Sequence, residues 1–197
     1  TFTRNDTEGA FASAPLVPGV YSVAETLNDS YDLTGRSCVN TGDGAHAASN
    51  VGNNGLSVTL AAGEDVTCTF TNTKRAKLTI VKNTVGGNGT FSFTHNVDGN
   101  SIPTVTTPFD IITANNTGSQ VFTKVAPGAY SVTETVPAGW DLTNRTCVNT
   151  GDGAHAFTTP TNGIGVTLAA GEDVTCTFTN TKQGQICLLY TSDAADE

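Results

Sequence analysis

Between Val174 and Thr181 the chain alternates without a break. Val174, Cys176, Phe178 and Asn180 fall on one side, and Thr175, Thr177, Thr179 and Thr181 on the other. Successive side chains of an extended strand point to opposite faces, so this period of two predicts a β-strand with one buried and one solvated face. The departure is Asn180, a carboxamide in the apolar register. A buried amide needs hydrogen-bond partners or a chemical role. The fifteen residues Leu168–Lys182 recur letter for letter at Leu60–Lys74, where Asn72 follows Phe70 in the same way.

The same test picks out two more strands with one polar residue in the apolar register. Leu78, Ile80 and Lys82 share a face opposite Thr79 and Val81, and Tyr130, Val132 and Glu134 share a face opposite Ser131, Thr133 and Thr135. Strands are predicted near 78–83, 90–95, 109–112, 119–124, 129–135, 140–147, 164–168 and 173–181. Turn signals at Gly86–Gly89, Asn115–Gly118, Pro127–Gly128, Pro137–Gly139, Gly151–Gly153 and Ala170–Gly171 separate them. Many short strands with closely spaced turns predict an all-β fold of antiparallel sandwiches. Cys147 is out of parity with Leu142 on one strand, which predicts a bulge between them.

Internal repetition fixes the organisation. Pro18–Thr26 corresponds to Pro127–Thr135, Tyr31–Thr34 to Trp140–Thr143, and Cys38–Ala47 to Cys147–Ala156. Fidelity at this level means tandem copies of one domain, each large enough to own a core. Thr1–Thr3 best matches Ser92–Thr94, so the first copy lacks a counterpart of the 78–82 strand. The expected division is an N-terminally truncated repeat over 1–75, a complete repeat over 76–182 and a non-native or disordered tail over 183–197. Arg75–Lys77 is too short for a flexible spacer, so the copies should abut. Within the tail, Cys187–Asp196 resembles the conceptual translation of a transposase-type sequencing adapter, and the tail is set aside from the fold.

Aromatics make up only 7% and charged residues 14% of the 197 residues, a palette of strands and polar turns. The net charge of -9 argues against nucleic acid and anionic membranes as partners. No signal peptide or transmembrane span is visible. Of five cysteines, Cys38, Cys68, Cys147 and Cys176 occupy matching places in the repeats. Three connectivities are possible, and the repeat logic favours Cys38–Cys68 and Cys147–Cys176 in an oxidising compartment. Each would close a loop of about 30 residues and contribute about 3–4 kcal/mol in the chain-entropy account. With no Cys-x-x-Cys, zinc and redox roles are not expected. His46 and His155 follow Asp43 and Asp152 in Gly-Asp-Gly turns; no metal or cofactor is expected there. Asn-x-Ser/Thr triplets at Asn5, Asn28, Asn88, Asn115 and Asn144 leave glycosylation open.

Lys82, Glu134 and Asn180 aimed into one core would bring an amine, a carboxyl and a carboxamide together. Burial drives the lysine toward free amine and the glutamate toward its protonated form. A free amine is a nucleophile. A carboxyl between the two can donate to the carboxamide oxygen and shuttle protons to the leaving nitrogen. The product would be a Lys82–Asn180 isopeptide bond and one ammonia, formed once per chain.

These residues carry a resemblance. Leu78–Lys82, Tyr130–Trp140 and Cys176–Thr181 resemble the CnaB-type, or SpaA-like, prealbumin-fold domains of bacterial surface proteins. The resemblance spans 78–182 fully and 1–74 in part. It implies that Lys82, Glu134 and Asn180 take the family's crosslinking positions. The first copy holds Glu25 and Asn72 without their lysine, so no isopeptide is expected within it. The implied function is a stalk or spacer repeat of a secreted or surface-anchored bacterial protein, with neighbouring repeats, and extracellular polymer or cell wall, as partners. An adhesin-type binding module is the alternative, for which the 101–120 region and the 156–163 loop are the places to look. An accessory domain of an extracellular enzyme is the third. No nucleophile–base pair, phosphate loop or carboxylate dyad is present, so turnover catalysis is not expected.

Overall fold

A computed structural model describes residues 12–42, 44–97, 107–150 and 153–189. Sixteen strands follow one another through these residues. The first six are β1 (Gly19–Ala24), β2 (Tyr31–Asn40), β3 (Gly44–Ala45), β4 (Ala48–Val51), β5 (Gly55–Leu60) and β6 (Val66–Lys74). The next five are β7 (Ala76–Val85), β8 (Thr90–His95), β9 (Phe109–Ile112), β10 (Thr117–Val125) and β11 (Gly128–Thr135). The last are β12 (Trp140–Asn149), β13 (Gly153–Ala154), β14 (Phe157–Thr158), β15 (Gly163–Leu168) and β16 (Asp173–Lys182). No helix is long and apolar enough to cross a membrane among the described residues. Asp43, Asp152, Thr1–Thr3, residues 101–106 of the 101–120 region and the end of the tail lie outside them.

Strands β7 to β16 form two facing five-stranded sheets, ordered β10-β7-β16-β12-β13 and β14-β15-β11-β8-β9. The all-β sandwich has antiparallel pairings throughout except one. Strands β7 and β16 run parallel, with Leu78 beside Val174, Ile80 beside Cys176 and Lys82 beside Phe178. The alternation works as the sequence implies. Strand β16 buries Val174, Cys176, Phe178 and Asn180 and leaves its threonines half-buried on the other face. Strand β11 buries Tyr130, Val132 and Glu134. The core between the sheets is aromatic: Phe178 meets Phe93 edge to face at 5.3 Å, and Phe91 meets Trp140 likewise at 5.2 Å. Such geometry sets the positive ring edge against the negative face of its neighbour. The register shift in the β12–β16 pair lies between Leu142 and Asn144, which returns Cys147 to the inner face opposite Cys176. The Asn115–Asn116 turn has both residues at positive φ, 53° and 66°, the geometry a two-residue hairpin turn requires.

Strands β1 to β6 form two three-stranded sheets, β1-β5-β4 and β3-β2-β6. They correspond to β11, β15, β14, β13, β12 and β16 in pairing and in register, including a shift between Leu33 and Gly35. No counterparts of β7 to β10 occur among the described residues. The inner face of β6 is therefore only half covered, although its sequence is that of β16. Disulfides join Cys38 to Cys68 and Cys147 to Cys176, each between directly opposed residues of paired strands.

Arg75 alone separates β6 from β7. Its guanidinium donates to Asp32 Oδ1 at 2.6 Å and to the Lys124 carbonyl at 2.6 Å, while Lys124 Nζ reaches Asp29 Oδ2 at 3.0 Å. Gly171 N donates to the Lys74 carbonyl at 3.1 Å. The two sets of sheets thus touch through charged groups at one junction.

The unequal cover of identical strands has a measurable consequence. Phe178→Ala should cost about 3–5 kcal/mol by opening a cavity in a fully enclosed core, and Phe70→Ala clearly less. Trp140, the single tryptophan, sits in the C-terminal core and reports its unfolding. In guanidinium titrations its fluorescence transition should move strongly for Phe178→Ala and stay in place for Phe70→Ala.

Candidate functional site

Three strands bring three polar groups to one point in the C-terminal core. Lys82 is carried on β7, Asn180 on the adjacent parallel strand β16, and Glu134 on β11 in the facing sheet. Lys82 and Asn180 are 0% exposed and Glu134 is 2% exposed. The strand register explains the meeting. Lys82 lies beside Phe178, two residues before Asn180 on the same face, so a long side chain reaching along its strand arrives at the carboxamide.

The contacts form a closed triangle. Lys82 Nζ donates to Asn180 Oδ1 at 2.5 Å and to Glu134 Oε2 at 3.0 Å. Asn180 Nδ2 donates to Glu134 Oε1 at 2.5 Å. The sequence reading had Glu134 donating to the carboxamide oxygen. The geometry instead sets the carboxyl against the carboxamide nitrogen and leaves the oxygen to the lysine. The Phe91 ring lies 4.4 Å from Lys82 Nζ and closes the site on the apolar side. The backbone of Glu134 is held by its N–H to the Asn162 carbonyl at 2.8 Å.

Burial dominates the titration of both ionisable groups. It lowers the Lys82 pKa below the ordinary lysine value, against the attraction of Glu134, and raises that of Glu134, against the attraction of Lys82. Both directions move the proton from nitrogen to carboxyl and favour a neutral pair over an ion pair. Arg145 is a smaller influence in the opposite direction on Glu134. Its guanidinium donates to the Pro160 and Gly163 carbonyls at 2.6 and 2.8 Å. The sequence reading passed over Arg145. The available signal was its repetition as Arg36, which donates to Gly55 O at 3.0 Å.

The first copy shows the same corner with one member missing. Asn72 Nδ2 donates to Glu25 Oε1 at 2.5 Å, and no lysine amine is placed against either group among the described residues. The histidines do something else. His155 Nε2 meets the Thr167 carbonyl at 3.1 Å and its Nδ1 lies 3.9 Å from Glu172, itself bonded by Asn149; His46, Thr59, Glu64 and Asn40 repeat this. These contacts brace a loop. No cluster of three or more metal-ligating side chains occurs among the described residues.

The two buried groups give pH slopes of opposite sign when separated. In Lys82→Met, the folded state holds the Glu134 proton where the unfolded chain has released it. Stability should therefore fall as pH rises above the ordinary carboxylate value. In Glu134→Gln, the unfolded chain holds the lysine proton where the folded state has lost it, so stability should rise as pH climbs toward the ordinary lysine value. Denaturant midpoints read by Trp140 fluorescence from about pH 5 to about pH 9 test this, and slopes of equal sign contradict it.

Comparison with known proteins identifies the family of the fold. The family model of the SpaA-type prealbumin-like fold domain matches residues 1–74 and again 78–182. No curated protein sequence matches the chain. Among solved structures, a Mobiluncus mulieris adhesin containing intramolecular disulfide, isopeptide and ester cross-links is similar at 13% identity, TM-score 0.41, over 68% of this chain and 46% of that one. The major pilin T-13 of Streptococcus pyogenes is similar at 14% identity, TM-score 0.42, over 83% of this chain and 66% of that one. The Bacillus cereus major pilin BcpA is similar at 13% identity, TM-score 0.38, over 84% and 60%. The chain thus spans about half to two thirds of these proteins. With both of its repeats matched by one family model, the chain belongs to the prealbumin-like fold domain family.

Proposed function

We propose that Lys82 and Asn180 join in an isopeptide bond and that the chain serves as a covalently stapled spacer of a secreted or cell-surface protein. The observation that carries the reading is the enclosed triangle in which Lys82 Nζ lies against the Asn180 carboxamide while Glu134 touches both nitrogens. From the neutral pair, the free amine of Lys82 attacks Asn180 Cγ, whose oxygen is polarised by its hydrogen bond from the lysine. Glu134, which faces both nitrogens, gives its carboxyl proton to Nδ2 and takes one proton from Nζ, so nitrogen leaves as ammonia. One C–N bond forms, one breaks, and Glu134 ends protonated as it began. The enclosed core supplies proximity and a low-dielectric setting, which together replace much of the activation barrier.

Two disulfides support an oxidising compartment, hence a location outside the cell or at its surface. Repetition of one unit, with strands β6 and β16 identical in sequence, suits a spacer better than a binding module whose loops must differ.

Intact mass of the reduced 197-residue protein should fall short of the sequence mass by one ammonia, with Lys82 and Asn180 in one crosslinked proteolytic peptide. Lys82→Ala and Glu134→Ala should restore the full mass. Full mass in the unsubstituted protein would sink the reading.

A further inference from the structure

The triangle of Lys82, Glu134 and Asn180 leaves one demand of its chemistry unmet. Attack of an amine on Asn180 Cγ moves negative charge onto Oδ1. Before attack that oxygen accepts Lys82 Nζ at 2.5 Å. A nitrogen that turns its electron pair toward Cγ turns its proton away from Oδ1, so this bond weakens as the charge builds. Glu134 is occupied with the two nitrogens, at 3.0 Å from Nζ and 2.5 Å from Nδ2. A donor already placed at the oxygen when charge develops is worth far more in an enclosed site than in water.

One buried hydroxyl is placed to serve. Thr84 follows Lys82 on the inner face of β7 and is 6% exposed. Its Oγ1 is buried and takes part in no hydrogen bond among the described residues. In the parallel register Thr84 lies directly beside Asn180. Both side chains point into the core, and neighbouring strands are about 4.8 Å apart. The backbone at this point is fixed, because Thr84 N donates to the Asn116 carbonyl at 2.9 Å. A threonine hydroxyl is a single donor that swings about one side-chain bond. Packing alone gives no use for it: valine would fill the same space without an unpartnered oxygen in the core.

We infer that Thr84 is the hydrogen-bond donor to the Asn180 carboxamide oxygen while the crosslink forms, an inference that rests on the reaction proposed for Lys82 and Asn180. The hydroxyl turns to Oδ1 as the C=O bond opens under attack and takes over from Nζ. It keeps its own proton throughout. When Nδ2 leaves as ammonia and the carbonyl re-forms, Thr84 Oγ1 remains the partner of the new amide oxygen. Strand β7 thus supplies both the nucleophile and the group that stabilises the charge the nucleophile creates, while β16 supplies the group attacked.

The rate of ammonia loss tests this. Full-length protein is made in a short pulse of oxidising cell-free synthesis, synthesis is stopped, and the crosslinked fraction is followed by intact mass after reduction. Thr84→Val keeps the shape of the side chain and should reach the same Lys82–Asn180 product about 100–1,000-fold more slowly, the usual loss on removing one such donor. Thr84→Ser retains the hydroxyl and should recover most of the rate. Packing is checked where no crosslink can form: in a Lys82→Met chain, adding Thr84→Val should hold or raise the denaturant midpoint read by Trp140 fluorescence. Equal rates for Thr84→Val and the unsubstituted protein, a Thr84→Ser reaction as slow as that of Thr84→Val, or a lowered midpoint in the Lys82→Met chain overturns the inference and leaves the crosslink standing. Absence of ammonia loss from the unsubstituted protein removes the crosslink and, with it, the role of Thr84.

Discussion

Parallel pairing of β7 with β16 is the constraint from which the rest of the C-terminal unit follows. It puts the first and last strands of the unit side by side in the middle of one sheet, with every other strand arranged around them. A parallel pair cannot be closed by a tight turn, so the chain between them must travel through the facing sheet and back. That path delivers Glu134 from the opposite layer to the space above Lys82 and Asn180. The same pairing fixes the two-residue offset that lets a lysine side chain lie along its strand and meet a carboxamide. Without it, the three polar groups would lie on unrelated parts of the core.

Desolvation is the second force at work, and it opposes the ordinary state of both ionisable residues. An amine and a carboxyl enclosed by Phe91 and the two sheets keep little of the hydration that stabilises charge. An ion pair there would recover part of that loss through Coulomb attraction, but buried ion pairs often gain no net stability over neutral alternatives. Transfer of the proton to Glu134 relieves both groups at once. The same burial that costs stability therefore pushes the nitrogen toward its free-amine form. Asn180 contributes by satisfying one carboxyl oxygen and one amine proton, which completes the hydrogen bonding of the triangle.

Much of this was legible in the sequence because it depends on period two. Lys82, Glu134 and Asn180 each continue an apolar alternation, and that alternation states which way a side chain points. Parity likewise exposed the bulge between Leu142 and Cys147. What periodicity does not carry is the identity of neighbouring strands. The side-by-side, parallel placement of β7 and β16 is a property of the whole chain path, invisible in either strand. The same limit explains why Glu134 was assigned to the carboxamide oxygen: a pattern gives the face, not the angle of approach. Arg145 escaped notice because its partners are loop carbonyls at Pro160 and Gly163, which no side-chain pattern marks. Strands β13 and β14, of two residues each, are too short for any alternation to register.

The position of the triangle within the unit governs how the chain would respond to being pulled from its ends. Tension enters at Ala76 and leaves at Lys182, at opposite ends of two parallel neighbours. In an unlinked unit it must shear the β7–β16 ladder and then unravel everything between. Lys82 and Asn180 are 98 residues apart along the chain. The Cys147–Cys176 disulfide bridges 29 of these steps, and the rest, fully extended, would release roughly 230–250 Å of contour length. A covalent bond at this point would carry the load straight from β7 to β16 and take the intervening chain out of the path. The unit would then behave under tension as a short inextensible link, with its hydrophobic core shielded from the strain.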